Sequence, residues 1–134
     1  MKRKIMKSMC ATLAIAAVFG NVVSIGAKSQ SDSKQVGSAI LSGVSTIEKT
    51  SGRAYSTLSK RGSATVRSTY KYYTKNNKIK TVNQDTTTGG GATGGAWNFS
   101  LDNGCESRSI RSTHTGGCDG ATGSFTTEIV WKIK

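Results

Sequence analysis

Proline is absent from this chain, histidine occurs once, cysteine three times, and only 7 acids stand against 19 Lys and Arg. Each shortage removes a class of function. General acid–base catalysis needs paired carboxylates, or a histidine with a nucleophile and an orienting acid. Here no two carboxylates form a recognisable pair, and Ser112, Glu106 and Asp119 lie near His114 in sequence without any known arrangement. The chain does not read as an enzyme, and no small-molecule substrate is expected. Cys105, His114 and Cys118 lack zinc-site spacing, so no metal is expected. The run Gly89-Gly90-Gly91-Ala92-Thr93-Gly94-Gly95 has no Gly-Lys-Ser/Thr ending and cradles no phosphate. It reads as a flexible loop, and no cofactor is expected. In its Thr-His-Thr-Gly-Gly setting, His114 reads as an exposed loop residue.

Long apolar runs are missing too. None reaches the roughly 20 residues that span a bilayer as a helix. The nearest is Met9 to Phe19, preceded by Lys2, Arg3, Lys4 and Lys7 and followed by the small residues Ser24, Gly26 and Ala27. A basic head, a short apolar middle and a small-residue exit make a secretory signal peptide, residues 1–27, cut after Gly26 or Ala27. The expected location is therefore secreted, outside the cell. Cys10 leaves with the signal. Cys105 and Cys118 remain as an even pair in an oxidising setting, and a disulfide between them is the default expectation.

What is present is positive charge and turn residues. From Lys28 onward, 15 Lys and Arg face 7 acids, a net charge of +8. Such a surplus favours anionic partners, and a membrane or a wall polymer of target cells is expected rather than nucleic acid. Glycine numbers 16, and serine and threonine are abundant, a turn-rich and β-prone composition.

Residues 28–62 read as a polar leader, a pro-region or spacer. Lys28 to Lys34 has no apolar period, while Val36, Ile40, Val44 and Ile47 recur at helical spacing, weakened by Gly37 and Gly43. Lys60-Arg61 is a dibasic pair at its end. From Ser63 the period becomes two. Arg67, Lys71 and Tyr73 fall on one face of a strand that turns at Asn76-Asn77 and returns through Lys78 and Lys80. A two-residue turn would pair Lys75 with Lys78 and Tyr73 with Lys80, making one basic face of Arg67, Lys71, Tyr73, Lys75, Lys78 and Lys80. Trp97, Phe99 and Leu101 mark a further strand. Asn103-Gly104 is the strongest short hairpin signal, and Gly116-Gly117 and Asp119-Gly120 read as further turns. Phe125, Thr127, Ile129, Trp131 and Ile133 alternate to the C-terminus, which predicts a central strand. Four or five strands over residues 63–134 predict an all-β domain, a small antiparallel sandwich or barrel.

The tetrapeptide Ser63-Ala64-Thr65-Val66 resembles a fragment of the lactococcin-type bacteriocins, which are small exported β-sandwiches. The likeness covers four residues and carries no site across. The function expected first is a bacteriocin-like, antimicrobial effector acting at anionic cell envelopes. A non-catalytic wall or polysaccharide binding module, stacking Trp97 or Tyr73 on a sugar, is the alternative. A protease inhibitor presenting Arg108 and Arg111 from the Cys105–Cys118 loop is a second alternative.

Overall fold

The computed structural model of the protein describes residues 26–88 and 94–134. The proposed signal peptide lies outside the described residues as far as Ile25, as do residues 89–93 of the glycine run. Eight strands follow in order: β1 (Lys28–Val36), β2 (Ala39–Glu48), β3 (Ser51–Leu58), β4 (Ser63–Tyr73), β5 (Ile79–Thr88), β6 (Gly94–Ser100), β7 (Glu106–Cys118) and β8 (Ala121–Val130). They form two four-stranded antiparallel sheets, ordered β1-β2-β3-β6 and β5-β4-β7-β8. The chain is all-β, and the sheets pack face to face as a small sandwich.

Alternation supplies each inner face. Ala64, Val66, Ser68 and Tyr70 of β4 and Ile110, Ser112, His114 and Gly116 of β7 point inward, as do Leu41, Gly43, Ser45 and Ile47 of β2. Two apolar clusters result, one at each end of the sandwich. Val36, Ala39, Leu41, Leu58, Ala64 and Cys118 form the first. Ile47, Ala54, Val66, Tyr70, Trp97 and Ile110 form the second. Between them lies a polar layer of Ser45, Ser56, Ser68, Ser112, His114 and Thr127, all buried.

Residues 28–62 are not a helical or disordered leader. They supply three of the four strands of one sheet, with Leu41, Ile47, Ala54 and Leu58 in the core. The helical spacing has a structural cause. Val36 and Ile47 face inward, Ile40 and Val44 outward, and the inward positions between them hold Gly43 and Ser45. The strand's period of two is hidden because its core side is partly polar. From Ser63 onward there are five strands, within the expected number.

Three turns differ from expectation. Asn103-Gly104 joins no hairpin; Cys105 N–H donates to Asp102 C=O (3.2 Å) in a turn that carries the chain from one sheet to the other. Gly116-Gly117 lies within β7. At the β4–β5 hairpin the loop has three residues, Lys75-Asn76-Asn77, closed by Thr74 N–H to Lys78 C=O and Asn77 N–H to Thr74 C=O, both 2.8 Å. Asn77, at φ 62, takes the left-handed position that such a loop needs. Asp119-Gly120 is a two-residue hairpin turn as expected, with φ 54 and 75. β7, which reads as mostly polar, is central; β8 is an edge strand.

The expected Cys105–Cys118 disulfide is absent, and both thiols are free. The reason is geometric. The two cysteines sit at opposite ends of the 13-residue strand β7. At about 3.3 Å per residue its ends lie on the order of 40 Å apart, against a Cα separation of roughly 4.4–6.8 Å in a disulfide.

Candidate anionic-surface interface

One end of the sandwich gathers the β2–β3 turn, the β4–β5 hairpin tip, the β6–β7 connection and the C-terminal segment. Backbone bonds tie them together. Ser107 N–H donates to Lys49 C=O (2.7 Å), Leu101 N–H to Thr50 C=O (2.8 Å), and Trp131 N–H to Arg108 C=O (2.7 Å). Lys134 N–H donates to the Tyr73 hydroxyl at 2.9 Å, and its Nζ donates to Asn77 Oδ1 at 3.1 Å. Lys28 Nζ reaches the Val130 and Trp131 carbonyls at 3.3 and 3.2 Å. Lys28, Lys49, Lys75, Lys78, Lys80, Arg108, Lys132 and Lys134 thus converge on an end whose acids are Glu48, paired with Arg53, Glu106, paired with Lys132 and Lys134, and Asp102.

The local electrostatics follow from that crowding. Burial alone would raise the Glu106 carboxyl, but the Lys134 hydrogen bond and the charges of Lys132, Lys134 and Lys49 prevail and hold it below its ordinary value. Lys134 and Lys132 lie 3.4 and 3.6 Å from that carboxylate. The Lys134 backbone N–H, outweighing burial and joined by the Arg108 guanidinium, lowers the Tyr73 phenol. The Glu106 shift reflects the lysines around it, whereas the Tyr73 shift is first of all that backbone hydrogen bond, with the Arg108 and Lys134 charges adding to it.

The residues expected to form one basic face are divided. The three-residue loop moves the return strand by one, which turns its alternate side chains over. Lys80 now faces with Tyr72 and Tyr70, while Lys71 faces with Thr81, Thr69 and Arg67 on the outer side. Arg67 is paired with Asp85, Nε to Oδ1 at 2.6 Å, and lies along the strand away from the tip. Tyr73 is buried, its hydroxyl accepting from Arg108 Nε at 3.2 Å and from Lys134 N–H. It cannot present its ring to a surface. Lys71, Lys75, Lys78 and Lys80 form no ion pair among the described residues. Sequence reading missed Lys49, Arg108, Lys132 and Lys134, because strand pairing brings them to this end from distant positions. Only the charge of the final Trp-Lys-Ile-Lys could have marked two of them.

Other candidates lose their footing. Trp97 is buried, so neither it nor Tyr73 is open for stacking on a sugar. Arg108 and Arg111 lie on the central strand β7 and not on a cross-linked loop. His114 is fully buried and not an exposed loop residue. Its Nδ1 bonds Ser56 Oγ at 2.7 Å and its Nε2 bonds Thr127 Oγ1 at 2.9 Å. Thr127 continues to Ser45 Oγ at 2.6 Å, and Phe125 stacks on the imidazole with ring centroids 5.1 Å apart. Burial lowers its pKa to about 4. No group of three or more His, Cys, Asp or Glu among the described residues is placed to hold a metal ion. At the opposite end a shallow depression of about 630 Å³ is lined by Arg61, Gly62, Ser63, Gly117, Asp119 and neighbours. Comparison with known family models, curated proteins and solved structures finds no match to this chain.

Proposed function

We propose that this protein is an exported, cationic β-sandwich that acts at the anionic envelope of target cells, in the manner of a bacteriocin, and makes contact through its cationic end. The observation that carries the reading is the convergence of Lys49, Lys75, Lys78, Lys132 and Lys134 on that end, where Glu106 is held below its ordinary pKa by the lysines around it. Lys132 and Lys134 share the one Glu106 carboxylate, so like charges remain in surplus on this end, and an anionic partner relieves their repulsion. Screening sets the signature: attraction of this kind weakens as salt rises.

The test is binding to intact cells and to isolated envelopes at increasing salt, with cell killing followed in parallel. Binding is expected to fall with salt, and Lys75→Gln/Lys78→Gln/Lys80→Gln is expected to lose most of it. Salt-independent binding by that triple variant would refute the reading. Retention on purified walls without harm to cells would move the function to a non-catalytic wall-polymer binder using the same end.

A further inference from the structure

The three exposed large hydrophobic residues of the described chain are Ile79, Val130 and Ile133, at 52, 44 and 68 % exposure. All three lie at the cationic end. Ile79 is the cross-strand partner of Tyr73, so its side chain stands on the outer face of the β5-β4-β7-β8 sheet. Val130 pairs with Ser109, which in turn pairs with Lys71, placing it on the same outer face in the adjoining row. Ile133 precedes Lys134, whose N–H is bonded to the Tyr73 hydroxyl, so its backbone is held at the same end.

The backbone that carries Val130 and Ile133 is held in place. The final residues do not hang free: Trp131 N–H and Lys132 N–H both donate to Arg108 C=O, at 2.7 and 3.3 Å. The Lys134 ammonium sits 5.1 Å from the Tyr73 ring centre, and the Lys28 ammonium 5.4 Å from that of Trp131. Ile79 and Val130 stand on the opposite edge strands β5 and β8, with β4 and β7 between them. The cationic end therefore carries three separate exposed apolar side chains set among lysines, with the half-buried Trp131 next to Val130 in the chain.

We infer that the cationic end docks on an anionic lipid bilayer, with Ile79, Val130 and Ile133 entering the boundary between headgroups and acyl chains and the surrounding lysines meeting lipid phosphates. The inference rests on the envelope reading above and commits it to lipid. A soluble or wall-bound polyanion needs only cations and gains nothing from three isoleucine and valine side chains in water. A bilayer surface offers both an anionic layer and an apolar layer beneath it. Lysine stems reaching upward and a tryptophan at the margin suit the same boundary.

The test uses the chain from Lys28 to Lys134, because both apolar clusters and all eight strands lie within it. Co-sedimentation is measured with vesicles of phosphatidylglycerol and phosphatidylcholine, and with phosphatidylcholine alone. Ile79→Ser/Ile133→Ser alters two exposed side chains, and its unfolding midpoint is measured first to show the fold intact. Binding to the anionic vesicles is expected, with little to phosphatidylcholine, and the double serine variant is expected to lose about tenfold or more in partition. If that variant binds the anionic vesicles unchanged while the lysine-to-glutamine triple variant fails, the lipid inference is overturned and the envelope reading stands. Capture by isolated walls without binding to anionic vesicles has the same meaning. If neither variant changes binding, both readings fall.

Discussion

His114 is a titratable group without access to solvent, and both its ring nitrogens are bonded to buried hydroxyls. In the folded chain it stays neutral down to about pH 4, because burial outweighs the smaller opposing effects of the Tyr55 backbone and Asp32. Once unfolded it takes up a proton near its ordinary 6.5. Between those values the unfolded chain binds the extra proton, so stability present above pH 6.5 is lost as pH falls toward 4. The loss from this one residue amounts to about 3 kcal/mol. Urea unfolding at pH 7 and at pH 4.5 should show it, and His114→Gln should flatten the dependence while lowering stability at pH 7. Gly43 belongs to the same site: a Cβ there would lie 2.3 Å from His114 Nδ1. Gly43→Ala should cost about 1–3 kcal/mol by overpacking, read as a lower unfolding midpoint.

At the scale of elements, the hairpin β4–β5 depends on one residue with positive φ. Asn77 holds φ 62, so Asn77→Gly should be neutral or mildly stabilising, and Asn77→Val should cost about 1–2 kcal/mol. Thermal unfolding of the two variants separates them. How much was legible in the sequence divides along the same lines. β4 and β8 show their period of two because Val66, Tyr70, Phe125 and Ile129 stand at inward positions. β2 and β7 hide theirs, since the middle of the core is built from Ser45, Ser112, His114 and Gly43, residue types that ordinarily mark surface or turn. Serine and histidine are buried here because each finds a hydroxyl partner: Ser68 with Ser112 on the neighbouring strand at 2.8 Å, and Ser56 with His114 across the two sheets. The hairpin was recognised and its face was not, because Asn76-Asn77 fits a two-residue loop as well as part of a three-residue one. Of the candidate site, Lys75, Lys78 and Lys80 are legible; Lys49 and Arg108 require the pairing of strands far apart in sequence.

At the scale of the whole molecule, the described residues form one sandwich that cannot be divided at Ser63. Residues 28–62 furnish β1, β2 and β3, and the inner side chains of β2 and β3 close both apolar clusters. A chain beginning at Ser63 should show no cooperative unfolding transition, in contrast to one beginning at Lys28. Charge is distributed as unevenly as the fold is continuous. Lys34, Lys60 and Arg61 occupy the end opposite the hairpin tip, beside Asp119, whose carboxyl is held below its ordinary value first of all by the Ser38 hydroxyl. Two variants of identical net charge therefore address the account most directly: Lys75→Gln/Lys78→Gln/Lys80→Gln, and Lys34→Gln/Lys60→Gln/Arg61→Gln. Their dissociation constants for isolated anionic envelopes at low salt should differ, the first rising roughly tenfold or more and the second staying near that of the unaltered chain. Equal losses in the two would mean that total charge, and not the end described here, governs the contact.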